Sequence, residues 1–448
     1  MHRYSRWIWL AQKCGVGSAE ISTLVEKFDS VDEIYEADFD TYADAGISER
    51  LAEDLCDKSM TEANQIIAFC QASRVGILCY DDERYPSGLR SISNPPAVLY
   101  YSGTLPDFNK NLLISMVGTR RMSEYGKSAA YKIAYEVASS GAIVVSGMAL
   151  GIDGVCSAAA IAAGGKTVAV LGCGIDKVYP PEHDKLMENI KRHGLVITEF
   201  APHTEPVGDN FPIRNRIISG ISPATVVVDA DLRSGALITA KCAILQGRDI
   251  YAVPSNIDSQ NSSGTNSLIR DGAQAVLCGN DIIKNYASAY KSRINTQKMR
   301  DAQEHSELDE SKIFALGARS REDAKAKRAT RQKSTRAMRN TDEPSSECVT
   351  ERKSDTIAER KITEPGAYEK AVTGTANYPQ AGDRSREVLE TLSEKQRRVF
   401  EEMPLDFPVT VDYLTKTGLK LGEVIAALTV LEVKGLVVSL PGAIYLRR

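Results

Sequence analysis

The chain has 448 residues, 43% of them hydrophobic and 25% charged, with a formal net charge of −4. Those values fit a globular protein of about two to four domains and exclude a chain too polar to build a core. The slightly acidic total excludes a global pull toward nucleic acid, so any such contact needs a local basic patch.

The N-terminal stretch MHRYSRWIWLAQKCG is basic and then briefly apolar. It lacks a small-residue cleavage site, so it is not read as a secretion signal. No apolar run approaches the roughly 20 residues of a membrane span, and the expected location is cytoplasmic. Nine cysteines occur without a CxxC pair, an odd count that argues against a disulfide framework. Cys156, Cys173 and Cys242 sit in small apolar surroundings and read as buried reduced thiols.

Residues 1–72 alternate short helical patterns with glycine punctuation, GVG at Gly15–Gly17 and AGIS at Ala45–Ser48. This reads as a small helical domain of SAM-like or helix-hairpin-helix type. Such hairpins can offer backbone N–H groups to a phosphate, but most bind nothing. Residues 73–288 open with YPSGL and NPPAVLYYSG, whose prolines set turns before an entry strand. The runs LLISMV, AIVVSG, KTVAVLG, LVITEF, TVVVDA, DIYAVP and QAVLC follow, with helical stretches between most of them. They are almost continuously apolar, as parallel strands buried on both faces are. The repetition predicts an α/β doubly wound sheet, in which ligands bind beyond the carboxyl ends of the strands.

Residues 289–383 are rich in charge, Ser, Thr and Ala, and predict a disordered linker. From Arg319 to Arg339 it carries nine basic residues against Glu322 and Asp323, either a nucleic-acid contact or a solvated tether. In 384–448, Ser393 and Gln396 form a capping-box start for a helix. Leu421, Val424, Ile425, Leu428 and Leu431 share one face of a later helix, and VVSLPGAIYL closes as two short strands. Three helices and a β-hairpin make a winged helix, a module that usually binds duplex through its last helix. Here that helix carries Glu423 and Glu432, which favours contact with a protein over contact with phosphates.

Candidate binding residues cluster at the predicted strand ends. Gly118, Thr119, Arg120 and Arg121 follow the first sheet strand of the repeat. Ser146, Gly147 and Gly151 belong to SGMALGID, and Gly174 and Lys177 to LGCGIDKVYP. Arg214, Asn215 and Arg216 lie in FPIRNRIISG, at the handover from a strand edge to a helix, and Ser234 and Gly235 open SGALITA. Glycines let a phosphate approach the backbone, helix N-termini favour anions, and arginine pairs with phosphate bidentately. The alternative is structural: salt bridges for each arginine, and a helix N-cap for Asp153. SGMALGID is no GxGxxG fingerprint, which disfavours a dinucleotide. GxSxG, P-loop and HExxH patterns are missing, and the five histidines show no metal spacing. Asp153, Asp176, Glu199 and Asp229 near strand ends leave acid–base work open, although caps and arginine partners explain them more simply. No catalytic residue, cofactor or metal is assigned.

In these motifs, taken in order and joined by AVPS and SGTNSLIRDGA, the chain resembles the DNA-processing protein A (DprA/Smf) family. The resemblance extends to the winged-helix tail and spans nearly everything outside the linker. It implies an extended Rossmann-like core that binds single-stranded DNA without strong sequence preference. It also implies loading of a RecA-type recombinase in DNA uptake and natural transformation, as a homodimer. By the same resemblance Arg120 and Arg214–Arg216 grip the DNA backbone, the loops at Ser146–Gly147 and Gly174 complete the groove, and Leu268 and Ile269 touch the second protomer. Two departures stand out: Ser255 replaces the glycine of a VPG turn, and the linker is long. The rival readings are a nucleotide- or sugar-phosphate enzyme related to phosphoribohydrolases and a ligand-sensing winged-helix regulator. The first of these is weakened because DLRSGALITA lacks the PGGxGTxxE glutamate.

Overall fold

The computed structural model describes residues 4–259, 261–319 and 392–403, and between 409 and 447 residues 409–410, 414, 419, 424, 427–428, 430–431, 436–440 and 444–447. Six short helices come first: α1 (Ser5–Cys14), α2 (Glu20–Lys27), α3 (Val31–Glu36), α4 (Phe39–Asp44), α5 (Glu49–Cys56) and α6 (Thr61–Ala72). Ser30 and Asp38 cap α3 and α4 by accepting the N–H groups of Glu33 and Thr41, which explains two of the breaks. Gly15, Gly17 and Gly46 adopt positive φ where the chain reverses.

Nine strands form one sheet: β1 (Gly76–Cys79), β2 (Val98–Gly103), β3 (Leu113–Val117), β4 (Ile143–Ser146), β5 (Thr167–Val170), β6 (Leu195–Thr198), β7 (Ala224–Val227), β8 (Asp249–Ala252) and β9 (Gln274–Ala275). The order is β1-β2-β6-β5-β4-β3-β7-β8-β9. From β6 to β9 all pairs are parallel, while β1 and β2 add an antiparallel edge. The chain winds from β3 outward to β6 and then returns to place β7 beside β3. That reversal is the topological switch point of a doubly wound sheet, where a crevice opens beyond the strand ends.

Between the strands lie α7 (Ser87–Arg90), α8 (Glu124–Ser139), α9 (Ile152–Ala162), α10 (Asp184–His193), α11 (Asn210–Gly220), α12 (Ala236–Leu245), α13 (Ser263–Arg270) and α14 (Gly279–Tyr286). Strand residues alternate between two cores. Ile114, Val144, Ala169 and Val196 face the layer of α8, α9 and α10, and that same cluster continues without a break into Trp7, Leu24 and Leu55 of the N-terminal helices. Leu113, Val145, Val168 and Ile197 face Ile217, Ala240 and Leu268 of α11, α12 and α13 on the other side. Burial on both faces is why these strands read as unbroken apolar runs.

The expected linker does not begin at 289. α15 (Thr296–Gln303) and α16 (Glu310–Leu316) pack on α8 and α9 through buried Met299 and Ile313. Buried Glu136 holds this corner, accepting from the Gly279 N–H at 2.6 Å and from the Ser306 hydroxyl at 3.0 Å. One apolar anchor per helix is too sparse a pattern to register as a helix face in sequence. Residues 320–383 of the expected linker, and so the basic tract after Arg319, lie outside the described residues.

In the tail, α17 (Glu394–Glu402) starts at the expected capping box, Ser393 with Gln396. Strands β10 (Val409–Thr410), β11 (Val437–Leu440) and β12 (Ile444–Arg447) pair in the order β10-β12-β11. Val424, Leu428 and Leu431 join Val399 and Phe400 in a separate core, as a winged helix requires. Leu421, Gly422, Glu423, Ile425 and Glu432 lie outside the described residues. No helix among the described residues is long and apolar enough to cross a membrane.

Candidate nucleic-acid interface

Loops from five strands converge at the carboxyl edge of the sheet. After β3, Gly118 packs so close to α9 that an added Cβ would stand 2.6 Å from Ile152. Thr119 donates its N–H to the Asp229 carbonyl at 2.7 Å, and its hydroxyl accepts the Arg121 N–H at 3.1 Å. This tight turn leaves Arg120 and Arg121 exposed, and neither has a carboxylate partner among the described residues.

The loop after β4 differs from the expected phosphate cradle. The Ser146 hydroxyl is buried and donates to the Met116 carbonyl at 2.7 Å, so it faces the sheet rather than a groove. Asp153 is the second residue of α9 rather than its N-cap, because Gly151, at φ 84°, makes the helix boundary. The Asp153 carboxylate folds back to accept the N–H groups of Gly147 at 3.1 Å and Ala149 at 3.4 Å. Two donors that a phosphate would use are therefore already taken. The Gly151 N–H is also committed, to the Arg319 carbonyl at 3.1 Å. Met148 takes a left-handed φ of 54°, and its carbonyl pairs with His183 Nδ1 at 3.0 Å. His183 Nε2 accepts the Arg319 N–H at 2.9 Å, so the imidazole is neutral with its proton on Nδ1. Burial pushes its pKa down accordingly.

After β5, Gly174 is buried in a closed turn, its N–H donated to the Thr204 carbonyl at 2.9 Å. Lys177 pairs with Glu205 at 2.6 Å. Neither is free to receive an anion as it stands. The Asp176 carboxylate accepts from the His203 N–H at 2.7 Å and contacts its ring nitrogen at 2.9 Å.

The largest departure concerns FPIRNRIISG. This stretch is the body of α11, not a strand-to-helix handover, and Arg214, Asn215 and Arg216 are all buried. Arg214 Nη1 donates to the Gly147 carbonyl at 2.9 Å and to the Val170 carbonyl, while Nε reaches Asn215 Oδ1 at 3.1 Å. Burial pushes the Arg214 pKa down to about 10 against the pull of Asp153, and pushes the Asp153 carboxyl up against the pull of Arg214. Arg216 Nη2 meets both Glu199 oxygens, at 2.7 and 2.6 Å, and Glu199 in turn accepts the Gly17 N–H at 3.2 Å. The salt-bridge alternative therefore describes Arg216, and Arg214 braces two strand-end loops from beneath. The sequence shows residue types, whereas Glu199 lies 17 positions away from its partner.

On the β7 side, the Asp229 carboxylate accepts from the Ser123 N–H at 2.8 Å and its hydroxyl at 3.0 Å, and burial raises its pKa. Ser234 accepts the Ala236 N–H at 3.3 Å, with Gly235 exposed as the N-cap of α12. The adjacent Arg233, which the sequence did not single out, is exposed and free of ion pairs among the described residues. Of the expected dimer residues, Leu268 is buried in its own chain's core, and Ile269 is half-buried. Cys156 and Cys173 are buried as expected, but Cys242 is partly exposed.

What remains at the surface is an aromatic recess. Phe211, half-buried in the first turn of α11, lies 5.2 Å from the Tyr179 ring. The Arg120 guanidinium sits 5.4 Å from its centroid, and Arg214 lies 5.8 Å away. Gly147 and Gly172 complete the floor; an added Cβ would come within 2.7 Å of Arg214 Nη2 at the first and 2.9 Å of Phe211 at the second. Phe211 and Tyr179 were missed as site residues. Their signal was an aromatic next to proline inside each basic or glycine-bearing motif, FP before IRNR and YPP after GIDKV. Chemically, the arrangement offers an aromatic ring for a base, and the exposed guanidinium that lies over that ring can turn to a phosphate.

Residues 76–287 match the family model for DNA recombination-mediator protein A, and residues 384–443 match the DprA winged helix domain. The DNA processing protein DprA of Bacillus subtilis is 37% identical over 220 residues, which cover 49% of this chain and 74% of that protein. The DNA processing protein DprA of Streptococcus pneumoniae is 38% identical over 205 residues, 46% of this chain and 72% of the relative. An X-ray structure of the S. pneumoniae protein superposes with a TM-score of 0.56 at 30% identity, covering 63% of this chain and 98% of the other.

Proposed function

This chain belongs to the DNA-processing protein A (DprA/Smf) family, and from that premise we propose that it binds single-stranded DNA at the strand-end recess. The observation that carries this reading is Arg120, exposed and without an ion pair among the described residues, lying over the half-buried ring of Phe211 beside Tyr179. An aromatic face in a recess takes an unstacked base, and every base has such a face, so binding is sequence-tolerant and excludes the closed duplex. Arg120 and Arg121 neutralise phosphates, whereas Arg214, Asn215 and Arg216 shape the floor. Gly118, Gly151 and Gly174 allow the close packing that sets the loops.

In this reading the bound strand is then delivered to a RecA-type recombinase in DNA uptake and transformation, which the match to a recombination-mediator family supports. The protein works as a homodimer and performs no catalysis on the strand, and its winged helix contacts a protein partner. The test is fluorescence anisotropy with mixed-sequence single strands and matched duplex across a salt series. Support is a preference for the single strand, with log K falling about 0.7 per phosphate neutralised for each log of salt. Equal binding to duplex, or none to either, would overturn the reading.

A further inference from the structure

A second recess opens on the other side of the switch point. Its lining is Ser123, Tyr125, Pro254, Ser255, Asn256 and Ser259, with no charged side chain among them. Tyr125, in the first turn of α8, is 52% exposed, yet its hydroxyl donates to the Pro254 carbonyl at 2.7 Å. That bond fixes the orientation of an otherwise free ring. The turn it rests on is itself held, since Asn266 accepts the Ser255 N–H at 3.2 Å and donates to its carbonyl at 3.0 Å. The recess is continuous with the Arg120–Arg121 turn: Asn261 donates to the Arg121 carbonyl at 2.7 Å, and Ser123 bonds Asp229. Exposed Arg121 and Arg233 stand on the loops after β3 and β7, the strands that lie between β4 and β8 in the sheet order.

We propose that Tyr125 is a second base-stacking platform, so that one DNA strand crosses the switch point from the Phe211–Tyr179 recess, over Arg121 and Arg233, to the β8 loop. This rests on the single-strand reading above. An uncharged hydroxyl- and amide-lined recess suits a base, and the cations beside it suit the phosphates between. β5 and β8 are four places apart in the sheet order. At about 4.8 Å per place the crossing is roughly 19 Å. A stacked strand at about 3.4 Å per nucleotide spans that with about six nucleotides, and an extended strand with fewer.

The test compares oligothymidylates of about 12 and about 2 nucleotides, the second too short to span the crossing even when extended, by competition, on the full chain and its variants. Tyr125→Ala is expected to weaken the long strand by about 5–100-fold and leave the short one, held at Phe211, within about twofold. Tyr125→Phe keeps the ring and most of the affinity. Tyr125→Trp is expected to report directly, its emission quenched by the long strand and not by the short one, because Trp7 and Trp9 are buried in the N-terminal helices. Phe211→Ala should weaken both lengths. An unchanged long-strand affinity in Tyr125→Ala, or an equal loss at both lengths, would overturn the second platform while leaving the first intact. Failure of the unaltered protein to bind either strand would overturn both.

Discussion

Replacing Arg216 with alanine separates a structural arginine from a binding one. The Arg216 and Glu199 side chains are 6% and 5% exposed, and the guanidinium meets both carboxylate oxygens. Removing it leaves the buried Glu199 side chain with the Gly17 N–H as its one remaining donor among the described residues. Orphaning one partner of a buried pair costs about 3–5 kcal/mol. For a domain of this size, at about 2–4 °C per kcal/mol, the thermal midpoint should fall by roughly 6–20 °C. Arg120→Ala removes an exposed cation and should change stability by no more than about 0.5 kcal/mol. It should nevertheless weaken single-strand binding and flatten the salt slope by about 0.7. Scanning calorimetry and the anisotropy series read the two effects separately. Pairing Arg216→Met with Glu199→Gln removes both charges and should recover most of the lost stability. The reasoning fails if Arg216→Ala melts within about 2 °C of the parent yet loses binding and salt slope together.

Phe211→Ala should cost single-strand affinity about 5–100-fold with little change in salt slope, since a stacking face and not a charge is lost; the same titrations check it. Gly147→Ala would place a methyl 2.7 Å from both Arg214 Nη2 and Asp153 Oδ2. Neither group has room to yield, so urea melts should show about 1–3 kcal/mol of destabilisation, with weaker binding as the recess floor shifts. His183 is held neutral with its pKa below the ordinary 6.5, facing Glu182 and Arg319. Between those two values the unfolded chain binds a proton that the folded one refuses, so stability falls as pH drops below about 6.5, by up to about 1.4 kcal/mol per pH unit. Urea melts from pH 7.5 down to 5 should show that slope, and His183→Gln should flatten it.

The sheet was legible because strands buried on both faces are apolar at almost every position, as in Leu112–Val117 and Thr225–Val228, and recur between helical stretches. The turn chemistry was legible at Ser393 and Gln396, where a cap needs only local residues. The site was half legible. Arg120 follows a strand directly, so its exposure at the edge could be inferred. Arg214 and Arg216 sit two apart in a helix that packs against the sheet, and burial there depends on Gly147, Val170 and Glu199, residues distant in sequence. Asp153 misled for a related reason: one glycine at positive φ moved the helix boundary and turned a cap into a loop brace. The helices after 289 escaped because Met299 and Ile313 each anchor a mostly polar segment.

The bond from Gly17 to Glu199 bears on how this chain can be taken apart. The Gly17 carbonyl also accepts from Asn94, and a Cβ at Gly17 would come within 2.8 Å of Ile213. The first six helices thus close over the same ion pair that α11 presents, and their apolar residues continue the core of the sheet. Cutting the chain ahead of β1 would open that core to water and strip a donor from a buried carboxylate. Truncation or domain exchange across this joint therefore calls for redesign of Glu199 and Arg216 together. The described residues of the winged helix, by contrast, form a core of their own that includes no residue of α11 or the first six helices.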